Sequence, residues 1–138
     1  MAYATLDDLV GRYGEAIVEQ LTDRTIPPSR AIDPAVAQSA LDGASAEADS
    51  YVGVRWATPL TQTPDALREA VTALACERLH TAGIPEDVAE AAKRARAWLR
   101  DLAAGRAVID AAGPAIGGDA VFVAGLPALF SAADMGGW

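Results

Sequence analysis

Residues 63–102 read TPDALREAVTALACERLHTAGIPEDVAEAAKRARAWLRDL, and this stretch decides the fold class. Thr63-Pro64 is an N-cap residue followed by a proline suited to a first helical position. From there Leu67, Ala70, Val71, Leu74, Ala75 and Leu79 recur at steps of three and four, the spacing of one helix face. Gly83 ends that helix and Pro85 opens the next, whose inward stripe is Val88, Ala91, Ala92, Ala95, Trp98, Leu99 and Leu102. Joined only by Gly83-Ile84, the two patterns predict an antiparallel helical hairpin. Gly105 closes the helical part.

Upstream the same signals recur. Asp33-Pro34 opens a helix with Ala37, Ala40, Leu41, Ala44, Ala48, Tyr51 and Val52 along one stripe, ending near Val54 to Trp56. Thr5 is the N-cap of an earlier helix, with Asp8 placed to reach back to it. Leu6, Leu9, Val10 and Tyr13 share its apolar face, and Ile17 and Leu21 extend that face by steps of four. Gly14 interrupts the pattern, which predicts two short helices with a break there. Residues 25–32, with Pro27-Pro28, read as a loop. The expected fold is mainly α: a small bundle of about four to five helices with an extended C-terminal arm that has room for a short β-strand.

Composition narrows the function classes. The 138 residues suit one domain, 1–105 as a helical body and 106–138 as the arm. Alanine supplies much of the 51% hydrophobic fraction and aromatics only 6%, so the core should be thin. Eleven basic against nineteen acidic residues leave a net charge of −8. That balance opposes binding a phosphate backbone, where affinity comes from counterion release by Lys and Arg. With Cys76 alone there is no disulfide framework. The opening Met1-Ala2-Tyr3-Ala4-Thr5 lacks a basic and an apolar signal region, so secretion is not expected, and no apolar run is long enough to span a membrane.

The arm differs in kind from the body. It holds both phenylalanines, one of three tryptophans and six of twelve glycines, but only Arg106, Asp110, Asp119 and Asp134 carry charge. Disordered tails are usually charged and poor in aromatics, and this one is neither. It should therefore lie on something, either its own body or a partner, and a partner is favoured because a thin helical body has little spare apolar surface. Val121, Phe122 and Val123, within Ala120–Ala124, suit a strand added to an exposed edge. Leu126, Leu129, Phe130, Met135 and Trp138 are candidate anchors for apolar pockets.

Catalytic chemistry finds little to use. His80 is the only histidine, and neither a Gly-x-Ser-x-Gly elbow nor a phosphate loop occurs. Cys76 and His80, four apart on one helix, could face one metal, but zinc needs further good ligands. Asp7, Asp8, Glu86, Asp87 and Glu90 stand in first helical turns, where the dipole already explains them. We expect no catalytic residue, no cofactor and no metal. Lys93, Arg94, Arg96 and Arg100 form a basic run, with Glu90 four residues before Arg94. Its plainest reading is a solvated face, and its functional reading is a set of candidate subunit-interface charges.

The chain as a whole resembles the head–tail connector proteins of Mu-like phages and prophages. The likeness runs through Met1–Val10 with Arg12-Tyr13-Gly14, through Gln20–Arg24, and through Ala40–Tyr51 into Arg55–Leu60. It continues at Leu74–Leu79 and in the closing Phe130–Trp138. It implies a structural adaptor of the virion neck, assembled in the host cytoplasm. Identical subunits would form a ring of roughly twelve copies. Other implied partners are the portal protein, gripped by the arm, and a tail-side connector or tail terminator, with DNA passing through unbound. From the residues alone, a small regulatory or antitoxin-like helical binding module stays open beside it.

Overall fold

The computed structural model describes residues 2–58 and 60–109. Five α-helices follow one another there: α1 (Leu6–Tyr13), α2 (Glu15–Thr22), α3 (Pro34–Val52), α4 (Asp65–Leu79) and α5 (Glu86–Ala103). No β-strand occurs among the described residues, so the fold is mainly helical as the periodicity predicts.

Two of the starts form as read. The Thr5 hydroxyl accepts from the Asp8 N–H at 3.3 Å while the Asp8 carboxylate accepts from the Thr5 N–H at 2.8 Å, a reciprocal capping box. Asp33 accepts from the N–H groups of Ala35 at 3.0 Å and Val36 at 3.4 Å, with Pro34 in the first helical position. The two later starts differ from expectation. Pro64 and Pro85 are themselves the N-cap residues, without a side-chain cap, and α4 and α5 begin one residue later. Thr63 turns its carbonyl to Arg68 Nη2 at 3.4 Å instead of capping. The first-turn acids Asp65, Glu86 and Asp87 offset this by meeting the positive end of each helix dipole.

Gly14 takes φ +92° and separates α1 from α2. Glycine adopts that region at no steric cost. The break resets the helical phase, so Ile17, expected inside, is 44% exposed and Val18 is buried in its place. At the far end of α3 the regular helix stops at Val52. Tight turns then carry the chain to a buried Trp56, with Val54 N–H donating to the Tyr51 carbonyl at 3.2 Å and Arg55 N–H to that of Val52 at 3.0 Å.

The core is a three-helix unit. α4 packs along both α3 and α5, and α3 also meets α5, while α1 and α2 close the side of α3. Every residue from Ala70 to Cys76 is buried. The middle of the helix read as one-sided is therefore enclosed, which its run of small residues permits, while Asp65, Ala66, Glu69 and Arg78 toward its ends stay exposed. Thr72 satisfies its hydroxyl on the Arg68 carbonyl at 2.7 Å. Leu41, Leu67, Leu74, Leu99 and Leu102 are completely buried, each stabilising by about 2 kcal/mol.

Both ends of the described chain are tied to this unit. The Tyr3 N–H donates to Ser45 Oγ at 2.9 Å, its hydroxyl donates to Asp49 Oδ1, and the same oxygen accepts from the Leu60 N–H at 3.2 Å. Past α5, Arg106 pairs with Asp101 at 2.9 Å, and Ala107 and Ile109 pack against the core. Residues 106–109 thus lie on the body. The strand expected at 120–124 lies outside the described residues.

Candidate interaction surfaces

The basic run of α5 divides into two unlike parts. Arg96 points inward to a clamp between helices: its Nε meets Glu47 Oε2 of α3 at 2.6 Å, and its Nη2 meets Glu77 Oε1 of α4 at 2.6 Å. Arg78 joins through Glu47 Oε1 at 3.3 Å, and its guanidinium lies over Gly43, where a side chain would crowd it. The Glu77 and Glu47 hydrogen bonds raise the Arg96 pKa above its already high value, and those from Arg96 lower that of Glu47. This guanidinium is engaged inside its own chain. Lys93, Arg94 and Arg100 are exposed and form no ion pair among the described residues. Glu90 does not hold Arg94 as the i,i+4 spacing suggested.

Arg94 instead overhangs an open groove of about 400 Å³ between α4 and α5. Buried Ala70, Ala73 and Ala95 line its depth together with Ala91 and Trp98, and exposed Ala66, Asp65 and Glu69 line it with Arg12. Arg12 pairs with Glu69 at 3.3 Å and lies over the Tyr13 ring, 5.6 Å from its centre. Ala70, Ala91 and Ala95 were legible as core-stripe residues, but Ala66, Ala73 and the groove between the two helices were not.

A second surface was missed because it was read only as loop. The Asp23 carboxylate organises residues 23–30. Its Oδ1 accepts from the hydroxyls of Thr25 at 2.6 Å and Ser29 at 3.0 Å, and its Oδ2 accepts from the Arg30 N–H at 2.7 Å. The Thr25 hydroxyl in turn accepts from the Ser29 N–H at 2.8 Å. The hydrogen bond from Thr25, helped by those from Arg30 and Ser29, holds the Asp23 carboxyl well below the usual carboxylate range. The bond to Arg30 N–H also accounts for that residue's φ of +59°, a region non-glycine residues rarely occupy. On this braced loop stands Ile26, 98% exposed.

Cys76 and His80 do not converge. The His80 Nδ1 lies 2.9 Å from the Cys76 carbonyl oxygen, while the thiol is buried against Tyr13, and burial pushes its pKa up. Among the described residues no group of three or more His, Cys, Asp and Glu side chains is placed to hold a metal ion. Among the described residues no helix is long and apolar enough to cross a membrane. Val121, Phe122, Val123, Leu126, Leu129, Phe130, Met135 and Trp138 lie outside the described residues.

Residues 3–117, which contain all five helices and both surfaces, match the family described as Bacteriophage Mu, Gp36. The chain belongs to that family. It is 32% identical over 106 residues to "Gene product J" of Escherichia phage Mu, covering 77% of this chain and 74% of that protein. It is 37% identical over 65 residues to "Mu-like prophage FluMu protein gp36" of Haemophilus influenzae, covering 47% of this chain and 45% of that one. The resemblance to a Mu-like phage and prophage protein family read from the sequence is thereby shown. The matched region begins at Tyr3, the residue whose phenol clasps α3.

Proposed function

We propose that this Gp36-family protein is a head-to-tail adaptor, a structural subunit of the virion neck that assembles in the host cytoplasm. The observation that carries the reading is the family match over residues 3–117, which makes the helical body a phage protein from end to end. Identical subunits form a ring, of roughly twelve copies where it meets a portal of that symmetry. The arm, residues 106–138, grips the portal, and the opposite face receives a tail-side connector or terminator.

The charge fits this role. A net charge of −8 per subunit multiplies around a ring. A negative channel wall repels the duplex and keeps it mobile, because tight phosphate contact would demand a surplus of Lys and Arg. The test is electron microscopy of phage made without the gene, with the protein then restored and labelled. Filled heads and separate tails in its absence, and label at the neck after restoration, are the expected results. Complete particles without the protein, or label over the capsid shell, would refute the adaptor role.

A further inference from the structure

We propose that the Ile26 loop of one copy seats in the α4–α5 groove of a second copy. The proposal rests on the ring reading above and adds which two surfaces meet. A lone exposed isoleucine is unremarkable by itself, since much of any protein surface is apolar. Ile26 is different because the loop under it is already fixed by the hydrogen bonds that converge on Asp23. An apolar side chain on a pre-ordered loop has little conformational freedom left to lose on binding.

The groove supplies the matching half. Its alanine lining is apolar, and Trp98 adds a broad aromatic side chain to it. Its own loop does not fill it, because Ile26 is 98% exposed. The loop is also anchored at the wrong end of α4. Arg24 Nη2 donates to the Leu79 carbonyl, the last residue of that helix, at 3.3 Å. The lining residue Glu69 is ten residues earlier, about 15 Å along the axis. One chain thus carries a projection near one end of α4 and a recess near the other, the arrangement that repeats head to tail and closes where the rotation closes.

Charge favours the same pairing. Arg30 adjoins the tip and forms no ion pair among the described residues. The groove lining offers Asp65 and Glu69, whose side chains are 91% and 76% exposed. Arg68 and Arg12 already share those carboxylates, so Arg30 orients the approach more than it strengthens the contact.

The experiment uses the full chain carrying Ile26→Cys, Ala66→Cys or both, oxidised at the highest soluble concentration. Both positions are exposed, and the native Cys76 is buried. Cross-linking requires Cβ atoms about 4 Å apart, so it reports direct seating. The double variant should give a ladder of covalent multimers, a mixture of the two single variants only dimers, and each single variant alone no ladder. Ile26→Asp should weaken self-association about tenfold or more, as loss of an anchor does, while Ile17→Asp on α2 leaves it unchanged. Rings that form without the cross-link and tolerate Ile26→Asp would overturn this contact and leave the ring reading standing. A ladder whose members never close would support the contact and sink the ring. A chain that stays monomeric with no ladder would overturn both.

Discussion

The Tyr3 hydroxyl joins three segments through one oxygen, since it donates to Asp49 and accepts from the Leu60 N–H at 3.2 Å. Tyr3→Phe leaves that buried N–H without a partner and should destabilise the fold by about 1–2 kcal/mol, read as a shifted urea midpoint. Burial pushes the phenols of Tyr3 and Tyr13 up from 10.0 to about 12. A raised pKa means that the folded state binds the proton more tightly than the unfolded one. The contribution is therefore complete below pH 10.0 and lost as pH climbs to about 12. Alkaline titration followed by circular dichroism should show unfolding accompany tyrosinate formation across that window; two tyrosines ionising near 10 in an intact fold would contradict it. None of this was legible in Met1-Ala2-Tyr3-Ala4-Thr5. The partners lie 42 to 57 residues away in sequence, and a local pattern carries no information about them. Thr22 was hidden for the same reason: its hydroxyl, fully buried, bonds the Val18 carbonyl at 2.9 Å and the Asp33 N–H at 3.0 Å.

At the scale of elements, the clamp of Arg96 on Glu47 and Glu77 binds α5 to α3 and α4. Arg96→Ala leaves two carboxylates facing one another, each less than a fifth exposed, and should cost about 2 kcal/mol. Arg96→Lys should recover only part, because an ammonium cannot reproduce the paired planar contacts. Glu47 has a lowered pKa, so its share is present above the ordinary value of 4.5 and fades as pH falls below it. The wild-type advantage over Arg96→Ala should narrow in acid; an advantage constant with pH would show that packing alone is at stake. Two glycine substitutions should have opposite signs. Gly14→Ala forces a side chain into φ +92° and should destabilise by about 1–2 kcal/mol. Gly43→Ala, in mid-helix, meets only the movable end of Arg78 and should stabilise by about 0.5 kcal/mol; thermal melts of both decide it. Helix existence was legible because caps and periodicity are local. Phase was not, since the turn at Gly14 exchanged Ile17 for Val18. The basic run of α5 looked uniform because sequence spacing cannot show that Arg96 faces two glutamates on other helices.

For the whole molecule the governing quantity is the net charge of −8 on the full chain. Duplex DNA should show no retardation with sub-micromolar protein in physiological salt, and retardation there would count against a repelling channel. The role of the arm can be tested by truncation. Because Ala107 and Ile109 pack on the core, truncation belongs after Ile109 and not after Gly105. The shortened chain should keep its helical circular dichroism and cooperative melt while failing to attach to portal-bearing heads. Attachment without the arm would reassign that role to the body.

The helices meet through residues that have almost no side chain: Ala37, Ala44, Ala48, Ala75 and Ala92 are all fully buried. Leucine sites in a core tolerate exchange among similar volumes, but a site that already holds the smallest side chain has nowhere to go but up in size. Divergence across distant relatives should therefore be lopsided. Leu41, Leu67, Leu74 and Leu99 should drift freely to isoleucine or methionine, while the alanine seams stay confined to alanine, glycine and serine. The thinness of the core would then be its most inherited property.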